Sequence, residues 1–359
     1  MTRTIMPFGP QHPVLPEPIH LDLELEDEIV VGARPSIGYV HRGLEKLCET
    51  RDYTEFTFVA ERVCGICSFI HGMTYCQGIE ELLGVAIPPR AQYLRVVWSE
   101  LSRLHSHLLW LGLLADAFGF EALFMQSWRL RELVLDCIEL TTGGRVIFSS
   151  ACPGGVRRDV TPDQAAFIRG KLTELEQRLG EIVPAFLNDP AVRQRLAGVG
   201  VITRQQAETL GAVGPVARAS GVAMDMRTSL RYAAYDELPV EPIIANDGDC
   251  LARCRVRIGE LTQSIGLIRT ALDRLPAGEL AVKVTGNPTG DIFARAEQPR
   301  GEVIYHLKGN GTKFLQRFRV RTPTFANLPA LLAMLPGSAL ADVPVLVLTI
   351  DPCISCTER

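Results

Sequence analysis

Glu61-Arg62-Val63-Cys64-Gly65-Ile66-Cys67-Ser68-Phe69-Ile70-His71 carries one Cys-x-x-Cys pair, and Asp351-Pro352-Cys353-Ile354-Ser355-Cys356-Thr357-Glu358-Arg359 carries a second. The pairs stand near opposite ends of a 359-residue chain. A four-thiolate site assembled from both ends forms only after the intervening polypeptide has folded, so termini and middle must make one cooperative unit. That requirement suits a buried metal centre better than a local clip, since zinc ribbons place the second pair about 15 to 20 residues after the first. Four thiolates accept zinc, an iron–sulfur cluster or a soft transition metal, and softness alone does not choose among them.

With 47% of its residues apolar, the chain buries a substantial core. Its 37 Lys and Arg against 41 Asp and Glu leave a formal charge of -4, which offers no basic field for nucleic acid. Ten cysteines follow a Met-Thr-Arg-Thr-Ile-Met-Pro start that lacks the basic and apolar regions of a secretory signal. A reducing cytoplasm is therefore expected, where Cys-x-x-Cys pairs are ligands or redox centres rather than disulfides. Cys48, Cys76, Cys137, Cys152, Cys250 and Cys254 read mostly as small buried hydrophobes. Asp116 and Glu121 interrupt the most apolar stretch, residues 108–125, so no membrane span is expected.

Leu21-Asp22-Leu23-Glu24-Leu25-Glu26 alternates as a strand does, and Glu28-Ile29-Val30-Val31 follows an acidic turn, so a small N-terminal sheet is expected. From Gly43 the period turns helical. Residues 90–114 place Leu94, Val97, Trp98, Leu101, Leu104, Leu108 and Leu111 on one stripe. Helices are also expected over 120–141, closed by Gly143-Gly144, over 161–187, capped at Thr161-Pro162-Asp163, and over 249–275, stopped by Pro276. Residues 300–305 and 313–320 look extended. The fold class is mainly α with small β-sheets (α+β). One domain, 1–359, comprises an N-terminal β region (1–40), a mainly helical core (41–275) and a C-terminal region with the second pair (276–359).

The flanks of the two pairs resemble the paired signatures of nickel–iron hydrogenase catalytic subunits. Together with the Gly9-Pro10-Gln11-His12-Pro13 opening and the Cys-Thr-Glu-Arg ending, they resemble the energy-converting Ech type over essentially the whole chain. The resemblance implies a nickel held by Cys64, Cys67, Cys353 and Cys356, with Cys67 and Cys356 bridging to an iron that carries carbon monoxide and two cyanides. It also implies heterolytic cleavage of dihydrogen, with a terminal thiolate taking the proton.

The resemblance extends to individual positions. Glu45, in His41-Arg42-Gly43-Leu44-Glu45, matches the family carboxylate that relays protons from a terminal cysteine, here Cys353. That role calls for burial and a raised pKa, whereas a lone glutamate is ordinarily solvated. His71, four positions after Cys67, shares its helical face and reaches a bridging thiolate, although an ordinary core histidine has the same pattern. Arg62 and Asp351 match a polar canopy over the metals. Arg300, in Pro299-Arg300-Gly301, matches an arginine that contacts one cyanide, and Thr324, in Thr322-Pro323-Thr324, a hydroxyl that binds the other. Arg359 stands where many relatives have a histidine that binds a further metal, so that metal is not carried over. The chain stops there, as a mature form does or one made without an extension.

The implied function is a hydrogenase interconverting dihydrogen with protons and electrons. Only the active-site cysteines suggest a cluster, so a small subunit with a 4Fe-4S centre is expected as partner. A ferredoxin-like donor and membrane ion-translocating subunits are expected beyond it. The implied position is peripheral, on the cytoplasmic side of the cell membrane. Two alternatives compete. A quinone-site subunit of complex I shares the fold and the Gly-Pro-Gln-His-Pro opening but typically lacks the four cysteines. A zinc-stabilised scaffold without enzymatic activity predicts zinc and no iron.

Overall fold

Residues 3–359 are described by a computed structural model. Three strands, β1 (Arg3–Phe8), β2 (His20–Glu26) and β3 (Ile29–Ser36), form an antiparallel sheet in that order. The alternation of β2 does what its pattern predicts: Leu21, Leu23 and Leu25 are buried while the acidic residues between them stay partly exposed. β1 has no such pattern. Its residues are exposed except Phe8, so main-chain pairing with β2 makes the strand. Beyond the sheet, Val30 N–H donates to Ser338 O (2.9 Å) and Val30 O accepts from Gly337 N–H (2.7 Å). The N-terminal sheet is thereby stitched to the segment that leads into the second cysteine pair.

Two short helices, α1 (Leu44–Cys48) and α2 (Phe56–Ala60), and a 3-10 turn at Glu61–Val63 precede α3 (Ser68–Leu83). The long helices α4 (Pro89–Ala117) and α5 (Glu121–Thr142) pack together. Gly143 ends α5 in the left-handed conformation at φ 81°. A two-stranded ribbon, β4 (Ala151–Cys152) with β5 (Gly155–Val156), leads to α6 (Pro162–Asn188). Thr161 and Gln164 form a reciprocal capping box at its start. Four short helices follow, α7 (Pro190–Leu196), α8 (Arg204–Thr209), α9 (Gly214–Ala219) and α10 (Met226–Ser229), and then α11 (Cys250–Asp273), which Asp249 caps. The second sheet is β6 (Thr289–Gln298), β7 (Gly301–Asn310) and β8 (Leu315–Arg321), all antiparallel. Helices α12 (Pro323–Met334), α13 (Val343–Thr349) and α14 (Ile354–Thr357) close the chain. No helix among the described residues is long and apolar enough to cross a membrane.

The apolar stripe of α4 is buried, but so is its opposite face. Glu100, Arg103 and His107 are 0% exposed because α11 covers that side. Groups from other elements meet them, among them Glu260 of α11, 2.8 Å from His107 Nε2 and 3.8 Å from Arg103 Nη1. Arg218 pairs with Glu260 (2.7 Å) and Glu297 (2.8 Å), and Arg227 with Asp225 (2.7 Å) and Glu100 (3.3 Å). Glu100 also accepts from Tyr235 Oη and Ser264 Oγ, each at 2.6 Å. Removing one partner of such a network strands a charge out of water. Arg218→Leu is therefore expected to cost about 3–5 kcal/mol, read as a lower denaturation midpoint. The Lys171–Asp136 pair at 3.0 Å is partly exposed, so Lys171→Ala should cost less than ~1 kcal/mol. Equal losses would contradict this account.

β6 and β7 meet in a two-residue turn made by Pro299 and Arg300, with Gln298 opposite Gly301. The turn points into the protein, leaving Arg300 2% exposed. Two glycines permit this close approach: a Cβ on Gly214 would lie 2.2 Å from Arg300 O, and one on Gly301 would lie 2.6 Å from Gly214 N. Thus the turn carries Arg300 to the C-terminal helix cluster.

Candidate metal centre

The two Cys-x-x-Cys pairs converge. Cys64 Sγ lies 3.2 Å from Cys353 Sγ, and Cys67 Sγ lies 3.5 Å from Cys356 Sγ. The sulfurs of Cys64, Cys67 and Cys356 all lie within 4.8 Å of one another, and all four side chains are buried. Local backbone explains the arrangement. Each pair sits where extended chain turns into helix: Cys67 precedes α3, and Cys353 caps α14. Ile66 N–H therefore donates to Cys64 Sγ at 3.3 Å and Cys356 N–H to Cys353 Sγ at 3.4 Å.

Four thiols this close share charge. Hydrogen bonds from Cys353, Cys356 and Cys67 pull the Cys64 thiol well below its ordinary range. Burial pushes Cys67 and Cys356 well above theirs. One thiolate is easy to form and further ones are not, unless a cation displaces the remaining protons. Soft donors, full burial and this proton balance fit a soft metal.

Around the sulfurs stand polar groups with unspent capacity. From the β6–β7 turn, Arg300 donates through Nε to Asp351 O (2.8 Å) and through Nη2 to Asp351 Oδ1 (2.8 Å). Burial disfavours its charge, yet Asp351 and the cysteine sulfurs hold it charged. Asp351 adopts φ 55°, a left-handed conformation uncommon for a non-glycine, and its buried Oδ2 has no partner among the described residues. Thr324 Oγ1 accepts from Cys353 N–H at 3.1 Å, leaving the hydroxyl proton free to donate. His71 Nε2 lies 3.3 Å from Cys356 Sγ, and its Nδ1 lies 2.6 Å from Tyr305 Oη. Burial pushes His71 down to about 4, so its imidazole is neutral.

Two expected site residues make contacts other than those expected of them. Arg62 is exposed and donates to Phe58 O at 2.6 Å, so it forms no canopy over the sulfurs. It sits on the outer side of the turn that presents Cys64. Glu45 accepts from Val320 N–H (3.0 Å) and Arg359 Nε (2.9 Å) and pairs with Arg319. Burial would raise its pKa, but those donors outweigh it and hold the carboxyl below the ordinary range. The raised pKa expected of a relay is therefore reversed at Glu45.

Glu17 and Arg42 went unnoticed in the sequence. Glu17 accepts from Ile354 N–H, from Ser355 N–H (3.2 Å) and from Ser355 Oγ, so its carboxylate rests on the residues between Cys353 and Cys356. It also lines a surface cleft of about 470 Å³ with Pro10, His12 and Pro18. The detectable signal was Leu15-Pro16-Glu17-Pro18, a glutamate held rigid between two prolines just after the Gly-Pro-Gln-His-Pro opening. Arg42 donates to Arg62 O (2.9 Å), Val63 O (3.0 Å) and Ser355 O (2.8 Å). One guanidinium thus ties both cysteine segments together.

Glu61 supplies a pH test of this packing. It is 0% exposed and accepts from Ser149 N–H at 2.8 Å, and burial pushes its carboxyl from 4.5 up to about 7. A folded-state pKa above the unfolded one gives stability that is full below pH 4.5 and is lost as pH rises through about 7. Wild type should therefore melt progressively lower relative to Glu61→Gln across that window. Parallel melting profiles would contradict the assignment.

Residues 42–116 match the model of the nickel-dependent hydrogenase family, and residues 117–287 and 280–359 match that of the respiratory-chain NADH dehydrogenase 49 kDa subunit. The chain is 41% identical over 361 residues to the carbon monoxide-induced hydrogenase of Rhodospirillum rubrum, covering 100% of both chains. It is 38% identical to the membrane-bound hydrogenase subunit alpha of Pyrococcus furiosus, over 99% of this chain and 87% of that one. Identity to one of the NADH-quinone oxidoreductase subunits of Syntrophobacter fumaroxidans is 35%, over 98% of this chain and 95% of that one. With matches of this length, the chain belongs to the family that joins nickel-dependent hydrogenases to the 49 kDa subunit of respiratory-chain NADH dehydrogenase.

Proposed function

We propose that this chain is the catalytic subunit of an energy-converting nickel–iron hydrogenase that interconverts dihydrogen with protons and electrons. The observation that supports it most is the meeting of four buried cysteine sulfurs from both ends of the chain. In this reading Cys64, Cys67, Cys353 and Cys356 would hold nickel, and Cys67 and Cys356 would also hold an iron with one carbon monoxide and two cyanides. Bound there, the centre supplies heterolytic cleavage of dihydrogen.

The protein residues orient and move protons. Arg300 keeps Nη1, 3.5 Å from Ser106 Oγ, for one cyanide, and Thr324 keeps its hydroxyl proton for the other. Asp351 fixes the Arg300 fork in the plane it needs. His71 donates toward Cys356. The relay carboxylate of this reading is Glu17 rather than Glu45, because Glu17 touches the Cys353 segment on one side and an open cleft on the other.

A small subunit with a 4Fe-4S centre, a ferredoxin-like donor and membrane ion-translocating subunits complete the proposed complex. The chain is placed peripherally, on the cytoplasmic side of the cell membrane. The relative named as membrane-bound hydrogenase subunit alpha supports the membrane-associated part of that assembly. The match to the 49 kDa subunit favours a second reading, a quinone-site subunit. Proton–deuterium exchange under dihydrogen by the purified native complex separates the two. Exchange is expected; its absence alongside quinone reduction would select the second reading.

A further inference from the structure

We infer that Tyr305 is a positioning residue that fixes His71 as its Nε2–H tautomer and aims that N–H at the Cys356 sulfur. The inference deepens the proposed function and rests on it only for the effect on the metals. It starts from the geometry of one chain of contacts, Tyr305 Oη to His71 Nδ1 at 2.6 Å and His71 Nε2 to Cys356 Sγ at 3.3 Å. Tyr305 and His71 are both 0% exposed.

A buried hydroxyl must place its proton on an acceptor, since leaving it unpaired is costly. Among the described residues, the Tyr305 hydroxyl has His71 Nδ1 as its hydrogen-bond partner and no other. Were Nδ1 to carry the hydrogen, Tyr305 would accept it, and the phenol proton would have nowhere to go. The donation therefore runs from Tyr305 to Nδ1, which leaves the imidazole hydrogen on Nε2, facing Cys356. The tautomer follows from hydrogen-bond satisfaction.

Rigidity makes the assignment specific. Tyr305 lies on β7, and its ring meets Phe318 edge-on at 5.3 Å and 84°. Phe318 packs in turn against Phe56 (5.3 Å) and Tyr75 (5.9 Å). The phenol is thus held by an aromatic cluster whose members lie on β8, α2 and α3. The helix that follows Cys67 carries His71, and a strand from the second sheet orients it. An N–H aimed at a bridging sulfur withdraws electron density from it, so this contact tunes how strongly Cys356 donates.

Two readouts test the assignment. Chains labelled with 15N-histidine report the tautomer of His71 directly, with or without metal. Wild type should show hydrogen on Nε2 and a bare Nδ1. Tyr305→Phe, which keeps the ring against Phe318, should lose the single tautomer and show hydrogen on Nδ1 in part of the population. In the metal-loaded complex, Tyr305→Phe should retain the metals and shift the carbon monoxide stretch to lower wavenumber, because a sulfur relieved of its hydrogen bond donates more strongly to the iron. Hydrogen on Nδ1 in wild type would overturn the inference, as would an unchanged tautomer in Tyr305→Phe. A changed tautomer with an unmoved stretch would overturn the tuning. The Nε2–H tautomer in a native chain that holds no nickel would uphold the role of Tyr305 and remove the hydrogenase reading instead.

Discussion

Glu17→Gln is expected to slow proton–deuterium exchange by about 10²–10⁴-fold with nickel and iron content unchanged. An amide keeps the geometry: its oxygen accepts from Ile354 and Ser355 N–H, and its NH₂ donates to Ser355 Oγ, as the carboxylate contacts allow. What it loses is the ability to take up and release a proton. Glu45→Gln, on the Arg319–Arg359 pair, should leave exchange within a few-fold. The reverse ranking would return the relay to Glu45.

Cys356→Ser is the second large effect. It should abolish exchange and strip iron from the chain, since an alkoxide is a poor ligand for a soft metal. The metal-free fold should survive, because serine is close in size and His71 still has a partner at that position. Metal that binds the folded state stabilises it by mass action, so loaded wild type should melt well above both the variant and its own metal-free form. Equal melting of loaded and empty wild type would mean that the four sulfurs do not hold the metal.

The long elements were legible because each carried its own local signal. The alternation of β2, the stripe of α4, the Thr161-Pro162 cap and Gly143 all act within a few residues, and the structure has them where the pattern put them. β1 and β6 escaped because main-chain pairing, not side-chain period, makes them. The convergence of the two cysteine pairs was legible from type and spacing, and the contact of His71 with Cys356 from its place one turn after Cys67. The polar face of α4 carried no such signal, since sequence does not show that Arg227 and Glu260 arrive from elsewhere to meet it. The same limit affected Glu45 and Arg62. Motif position suggested their roles, but Arg319 reaches Glu45 from β8 and only the folded turn shows Arg62 pointing outward. Glu17 and Tyr305 have the opposite history, ordinary in the sequence and brought to the cysteine segments only once distant parts of the chain meet.

A single soft-metal centre built from both ends of the chain can be tested in the native complex by elemental analysis joined to X-ray absorption at the nickel edge. Nickel and iron are expected in equal amounts bound to this chain, with nickel surrounded by sulfur, and both should be lost in Cys64→Ser. Stoichiometric zinc without iron, or a native chain free of metal, would rule such a centre out.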